Sequence, residues 1–230
     1  VSAAVLGVLV ILFGGWSWFR GSSFVAIQRV RISGVSGPGA AEIRAALQRA
    51  VRRMTTLEVD ARELRAVMRF RPEIRSIAFS TQFPHGIVIR VAERVAVAEI
   101  VVAGQAVAVA GDGTLLGDAV PYGALPAIPL NQAPAGNALT APGALAAAAV
   151  LGGAPHELLA EIRNATRTAA QGVVVDLRNG PSVYFGAPTE IAAKWQAAIA
   201  VLGSTVAAGA VYLDVSDPHR PAAGGLNDSS

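Results

Sequence analysis

Three histidines, His85, His156 and His219, and the adjacent pair Glu93 and Arg94 are the side chains in this sequence with most capacity for chemistry. A metal centre needs ligands at spacings that converge on one ion, and none of the histidines has a second ligand so placed. His85 falls in a Pro-His-Gly turn, His156 follows Pro155 at a helix start, and His219 lies beyond the last patterned segment, positions that suit surface or capping roles. Cysteine is absent, which removes disulfides, thiolate nucleophiles and Cys-ligated metals. Neither G-x-S-x-G nor S-x-x-K occurs, so the common acyl-transfer nucleophiles are missing. Gly37-Pro38-Gly39 precedes a helical pattern without the rest of a phosphate cradle and reads as a turn and helix start. The expectation is a protein with no catalytic residue, no metal, no cofactor and no small-molecule substrate.

Glu93 serves a different purpose. Ile87, Ile89 and Val91 alternate on one strand face and Glu93 shares their parity, so its carboxylate projects toward the apolar side. A carboxylate there is costly unless an arginine or backbone donor meets it. The expected role is an ion pair or hydrogen bond that fastens a joint between two modules, with Arg94 on the opposite, exposed parity beside Arg90. The stretch Gly86 to Ala98 carries this pair into a second alternation, Val95 and Val97, with no Gly, Pro or Asn to stop it. Such a crossing predicts two modules held rigidly end to end.

The elements around these residues begin with Val1 to Phe19, which contains no charge and ends in Trp16, Trp18 and Phe19 before Arg20. At about 1.5 Å per residue a helix of that length reaches roughly 28 Å, close to the hydrocarbon thickness of a bilayer. A secretory signal would be shorter and would end in small residues, whereas aromatics followed by Arg mark a membrane boundary. Residues 1–19 are therefore expected to form one transmembrane helix, and the rest of the chain to lie on one side of the membrane. The start at Val1, with no preceding basic residue, reads as a fragment lacking a cytoplasmic leader.

Charge is distributed unevenly. From Arg20 to Arg94 there are 14 Arg against 6 acids, a balance of +8; from Val95 onward 5 basic and 10 acidic residues give −5. The basic stretch lacks the interleaved aromatics that stack nucleic-acid bases. Solvated helix faces account for it most simply, with lipid headgroups or an acidic partner as alternatives, and no nucleic acid is expected.

In the basic stretch, Phe24 to Ile32 reads as a strand and Gly34 to Gly39 as a turn. A helix follows with Ile43, Ala46, Leu47, Ala50 and Val51 inward, then a second one capped by Asp60, with Glu63 in the capping box and Leu64, Val67 and Met68 buried, stopping before Pro72. Strand Ser76 to Phe83, the turn Pro84 to Gly86 and the strand from Gly86 complete a strand-helix-helix-strand-strand order. In the acidic stretch, strand-like Ala106 to Ala110 and Thr114 to Leu116 flank Gly111-Asp112-Gly113, and Leu125 to Pro129 is extended. Ala141 to Leu151 is helical, Val173 to Leu177 and Ser182 to Phe185 flank the turn Asn179-Gly180, and Pro188 to Leu202 is a helix with Ile191, Trp195, Ala198, Ile199 and Leu202 inward. Val211 to Val215 is the last clear strand, expected at a sheet edge, and residues 219–230 read as a flexible tail.

In this order the elements resemble the bacterial cell-division family FtsQ, called DivIB in Gram-positive bacteria. The resemblance rests on Phe24, Ile27, Val30, Ile32 and Gly34; Leu57, Val59 and Asp60; Pro72, Ile74 and Ala78; Pro84, Ile87, Ile89, Val91, Glu93, Arg94 and Ala96 to Ala98. It continues through Asp112-Gly113, Leu125-Pro126, Asn179-Gly180, Gly186, Lys194 and Tyr212-Leu213-Asp214. It implies an α+β chain: a transmembrane helix at 1–19, a β-α-α-β-β POTRA domain at 24–94, a mixed-sheet β domain with flanking helices at 95–218, and the tail. It also implies a non-enzymatic divisome scaffold in the cell membrane, single-pass, with its domains outside the cytoplasm and concentrated at the septum. Its partners would be FtsB/FtsL-like proteins and other membrane division proteins. Binding would fall on Val211, Tyr212, Leu213, Asp214, Val215, Ser216 and Asp217. Ala96 stands where the family often has Pro, and Ser216-Asp217 replaces an Arg-Tyr pair seen in some members. The alternative is a POTRA-bearing export or assembly factor that binds substrate strands, although such proteins carry repeated POTRA units and a membrane barrel.

Overall fold

Alternation at period two makes β3 (Gly86–Glu93) the middle strand of a three-stranded sheet. β1 (Arg29–Ser33) pairs with it in parallel and β2 (Ile74–Gln82) antiparallel. A computed structural model describes this architecture for residues 7, 13–16, 23–36, 39–117, 124–205 and 209–225. Most of the expected transmembrane segment 1–19, the Gly37-Pro38 pair, the Met68 side chain and the last five positions of the expected tail lie outside that description. No helix among the described residues is long and apolar enough to cross a membrane. The chain is mixed α+β and divides into two compact units, Val1–Arg94 and Val95–Ser230.

In the first unit, β1 leads to α1 (Ala40–Val51), whose buried stripe Ile43, Leu47, Ala50 and Val51 packs on Ile87, Ile89 and Val91. The short α2 (Ala61–Ala66) is capped by Asp60, whose carboxylate accepts the Arg62 N–H at 2.7 Å, and a 3-10 turn, Val67–Phe70, finishes it. The first strand is shorter than its apolar pattern predicts, because Ser23–Val25 forms a 3-10 turn instead. Gly34 follows β1 at φ +79°, and a side chain there would collide with the Val91 carbonyl, so the turn and the strand pack backbone to backbone.

The second unit begins with β4 (Ala96–Val102) and β5 (Gln105–Ala110), an antiparallel pair. After the described segment around Leu125–Ile128 come α3 (Pro142–Gly152), the one-turn α4 (His156–Leu159), β6 (Ile162–Thr168), β7 (Gly172–Leu177) and β8 (Ser182–Gly186). α5 (Ile191–Leu202), β9 (Tyr212–Asp214) and β10 (Ala222–Gly224) complete it, and the sheet order is β10-β9-β8-β7-β6. Ala127 joins the two sheet pieces by pairing in parallel with Glu99 on one side and Asn164 on the other. The extended Leu-Pro-Ala-Ile-Pro run is thus a one-residue strand that covers the inner edges of both β4 and β6. The core lies between this sheet and helices α3 and α5, around Val150, Leu151, Ile162, Val175, Phe185, Trp195 and Leu213.

The crossing from Gly86 to Ala98 is not one continuous strand. β3 stops at Glu93 and β4 starts at Ala96, Val95 is exposed, and the ladder is irregular between Ala96 and Ala98. Each half is pinned by its own sheet, and a residue outside both ladders has no pleat to hold its side chain inward.

Candidate functional site

The residues expected to bind a partner gather at one end of the second unit's sheet. β8, α5 and β9 form a strand-helix-strand crossover, so β9 pairs in parallel with β8: Ser182 opposite Tyr212, Val183 opposite Leu213, Tyr184 opposite Asp214. Leu213 and Val215 are fully buried, which leaves Tyr212 and Asp214 on the outer face by alternation. The Tyr212 ring stacks on Tyr184 with centroids 5.2 Å apart and planes within 9°. The Val211 N–H donates to the Gly224 carbonyl at 3.0 Å, and its own carbonyl accepts the Ser182 N–H at 3.0 Å. Asp214 ends the strand by accepting the Ser216 N–H at 2.9 Å, and Asp217 turns the chain by accepting the His219 N–H at 3.0 Å.

That turn returns the chain as β10, which pairs antiparallel with β9. Two expectations change here. Val211 to Val215 is not at the sheet edge, because β10 covers it; and positions 222–224, expected to be part of a loose tail, form the edge strand. Ala-Ala-Gly offers no apolar alternation to read, yet backbone pairing needs none once the turn has set the register. Among the described residues, no strand pairs with the outer side of β10. The strand carries no charge and no proline, the devices that usually blunt such an edge.

A buried amine holds the neighbouring strand end. Lys194 is 2% exposed, and its Nζ donates to the carbonyls of Phe185 and Ala187 at 2.8 Å each. Gly186, between them, sits at φ +65° against Ser216, so no other residue fits without strain. Trp195 packs on Phe185 at 4.7 Å and donates its indole N–H to the Val150 carbonyl at 2.8 Å, tying α5 to α3. The sequence pattern put Ile199 inward and started the helix at Pro188. Instead Glu190, at φ +51°, delays the start to Ile191, and the buried stripe becomes Lys194, Trp195 and Ala198 while Ile199 is exposed.

Four hydrogen bonds of Glu93 and Arg94 lie within the first unit. The Glu93 carboxylate accepts the Ser36 N–H at 3.0 Å and the Ser36 hydroxyl at 2.6 Å, clamping the loop after β1 to the end of β3. Arg94 is not a freely exposed side chain: its guanidinium donates to the carbonyls of Pro72 at 2.9 Å and Ile74 at 2.7 Å, anchoring the start of β2. Glu93→Ala is expected to lower the melting midpoint of the first unit by a few degrees and leave the second unit's transition in place, as calorimetry of the full chain would register.

The histidines stay apart. His85 Nδ1 lies 3.3 Å from the Ala26 carbonyl, while His156 and His219 are exposed. Among the described residues no three His, Asp or Glu side chains form a metal-holding group.

No family model matches the chain. Among curated proteins, the "Cell division protein FtsQ" of Streptomyces venezuelae is 30% identical over 226 residues, covering 96% of this chain and 82% of that protein. The "Cell division protein FtsQ" of Streptomyces collinus is 30% identical over 231 residues, covering 95% and 85% respectively.

Proposed function

The chain belongs to the FtsQ family of cell-division proteins, and on that premise we propose that it is a non-enzymatic scaffold whose second unit captures a partner strand at β10. The observation that supports this reading is the outer edge of β10, which no strand among the described residues pairs, free of charge and proline, beside the Tyr212–Tyr184 stack. An added strand would take main-chain hydrogen bonds from Ala222–Gly224, and the turn residues Ser216 and Asp217 would flank it. Val211, Tyr212 and Asp214 supply side-chain contacts next to that edge, whereas Leu213 and Val215 hold the core beneath it.

In this reading Val1 to Phe19 is the single membrane anchor, the first unit is a POTRA-type module meeting other membrane division proteins, and the partner strand comes from an FtsB/FtsL-like protein outside the cytoplasm. The scaffold concentrates at the septum because its partners do. Two outcomes are expected in cells: a fluorescent fusion gathers at division sites, and depletion yields filamentous or branched cells without septa. A fusion spread evenly over the membrane, with normal septation after depletion, contradicts the proposal.

A further inference from the structure

Three exposed apolar side chains surround one knot of hydrogen bonds in the first unit. Thr56 is buried; its N–H donates to the Val25 carbonyl at 2.8 Å, and its hydroxyl lies 2.9 Å from the Pro84 carbonyl and 3.3 Å from that of Val25. The knot ties together three segments distant in sequence, and each leaves a large apolar residue in water one position away. Phe24 is 68%, Leu57 41% and Phe83 67% exposed. Ala26 bridges Thr55, and the His85 carbonyl accepts the N–H groups of Gln28 and Arg29, so these segments share one end of the unit. At the same end Arg29 opens β1, and Arg52 and Arg53 follow α1 into the turn at Thr55–Glu58; all three arginines are exposed, and Glu58 is the acid on that turn.

Two phenylalanines about two-thirds exposed, beside a half-exposed leucine on a small unit, mark a surface that is covered in use. We propose that this end is a membrane-interface tip: Phe24, Leu57 and Phe83 enter the headgroup region of an anionic bilayer, and Arg29, Arg52 and Arg53 take lipid phosphates. The inference rests on the anchored reading of Val1 to Phe19. Phe24 follows Phe19 by five positions, and at about 3.5 Å per residue it lies within roughly 18 Å of the end of that apolar run. A surface so close to lipid, offering exposed apolar side chains together with arginines, has the chemistry of interfacial binding: apolar area for the acyl boundary and guanidinium forks for phosphodiesters. The first unit's balance of +8 is of the sign that an anionic leaflet attracts. The tip limits how far the first unit can swing away from the membrane.

Because the chain has no cysteine, single thiols can be placed cleanly. The full chain, as Phe83→Cys, Leu57→Cys or the second-unit control Val101→Cys, is labelled with an environment-sensitive fluorophore and reconstituted into vesicles of phosphatidylglycerol and phosphatidylcholine, or of phosphatidylcholine alone. Expected on the anionic vesicles are a blue shift and severalfold quenching by spin-labelled lipid at positions 57 and 83 but not at 101. The shift should be reduced on neutral vesicles and in an Arg52→Glu, Arg53→Glu background. Water-like emission at both positions on vesicles with which the chain floats overturns the tip and leaves the anchor standing. A chain that does not float overturns the anchor and the tip with it. An equal shift on neutral vesicles overturns the role of the arginines. A shift seen only after adding an FtsB/FtsL-like protein overturns lipid as the occupant and makes the trio a protein-docking surface.

Discussion

Lys194→Met should destabilise the second unit by about 1–3 kcal/mol, a substantial share of what a domain of this size possesses. Methionine fits the volume of lysine but donates nothing, so the buried Phe185 carbonyl loses its Nζ donor, while the Ala187 carbonyl, on an exposed residue, keeps the Thr189 N–H at 2.8 Å. One stranded buried acceptor costs about 1–3 kcal/mol. Lys194→Ala should cost more, since a cavity under Phe185 and Trp195 adds to the two lost bonds. The loss also reaches the proposed binding edge. Those carbonyls bracket Gly186, which packs on Ser216, and β8 is the strand on which β9 is laid. Denaturant unfolding of the full chain, followed by the fluorescence of Trp195 with Trp16 and Trp18 replaced by Phe, measures the effect. A second-unit transition unchanged in midpoint would mean that the amine is not a clamp.

The double variant Ala222→Pro, Ala223→Pro should reduce capture of an FtsB/FtsL-like partner by at least about 100-fold, because proline removes the donor that an added strand requires. Successive N–H groups of a strand point to opposite sides, so two consecutive prolines remove an inward and an outward donor whichever way β10 is phased. The fold should persist, because β10 is a three-residue edge strand and the buried Leu213 and Val215 lie outside it. Substituting proline at Leu213 itself would be less informative, as it would disrupt the core together with the edge. Titration calorimetry on the folded variant separates the two effects. Wild-type affinity in the double variant would place the partner elsewhere.

How far such features could be read in advance depended on the kind of force involved. β3 declared itself because one face is buried, and Ile87, Ile89 and Val91 must then recur at period two. The turn at Asn179-Gly180 was equally plain from its residue types, although the chain crosses 178–181 with neither Asn179 nor Gly180 at positive φ. β6 escaped notice: Ile162 and Ala165 are its buried residues, and the irregularity between Ile162 and Asn164 breaks the alternation that would have revealed them. β10 has no side-chain signal and is held by backbone pairing alone.

Lysine is rarely buried without partners, so a pattern search has no reason to put Lys194 inside. Its partners come from the end of β8, known only once the crossover is built. The parity of Glu93 predicts a carboxylate on the apolar side, whereas the residue is half-exposed and its carboxylate meets Ser36 in the loop after β1. Strand parity tells which way a side chain points and not what it meets.

Whether β10 accepts a partner as an added strand can be tested directly by crosslinking. Ala223→Cys places one thiol on that edge in a chain with no other, and a partner carrying single cysteines at successive positions of its binding segment can be tested for disulfide formation in dividing cells. Crosslinks are expected to peak in one register and recur at every second partner residue, the period of a strand. Crosslinks recurring every three to four residues would identify a docked helix instead, and a partner that still co-purifies with no crosslink to position 223 would contradict the site altogether.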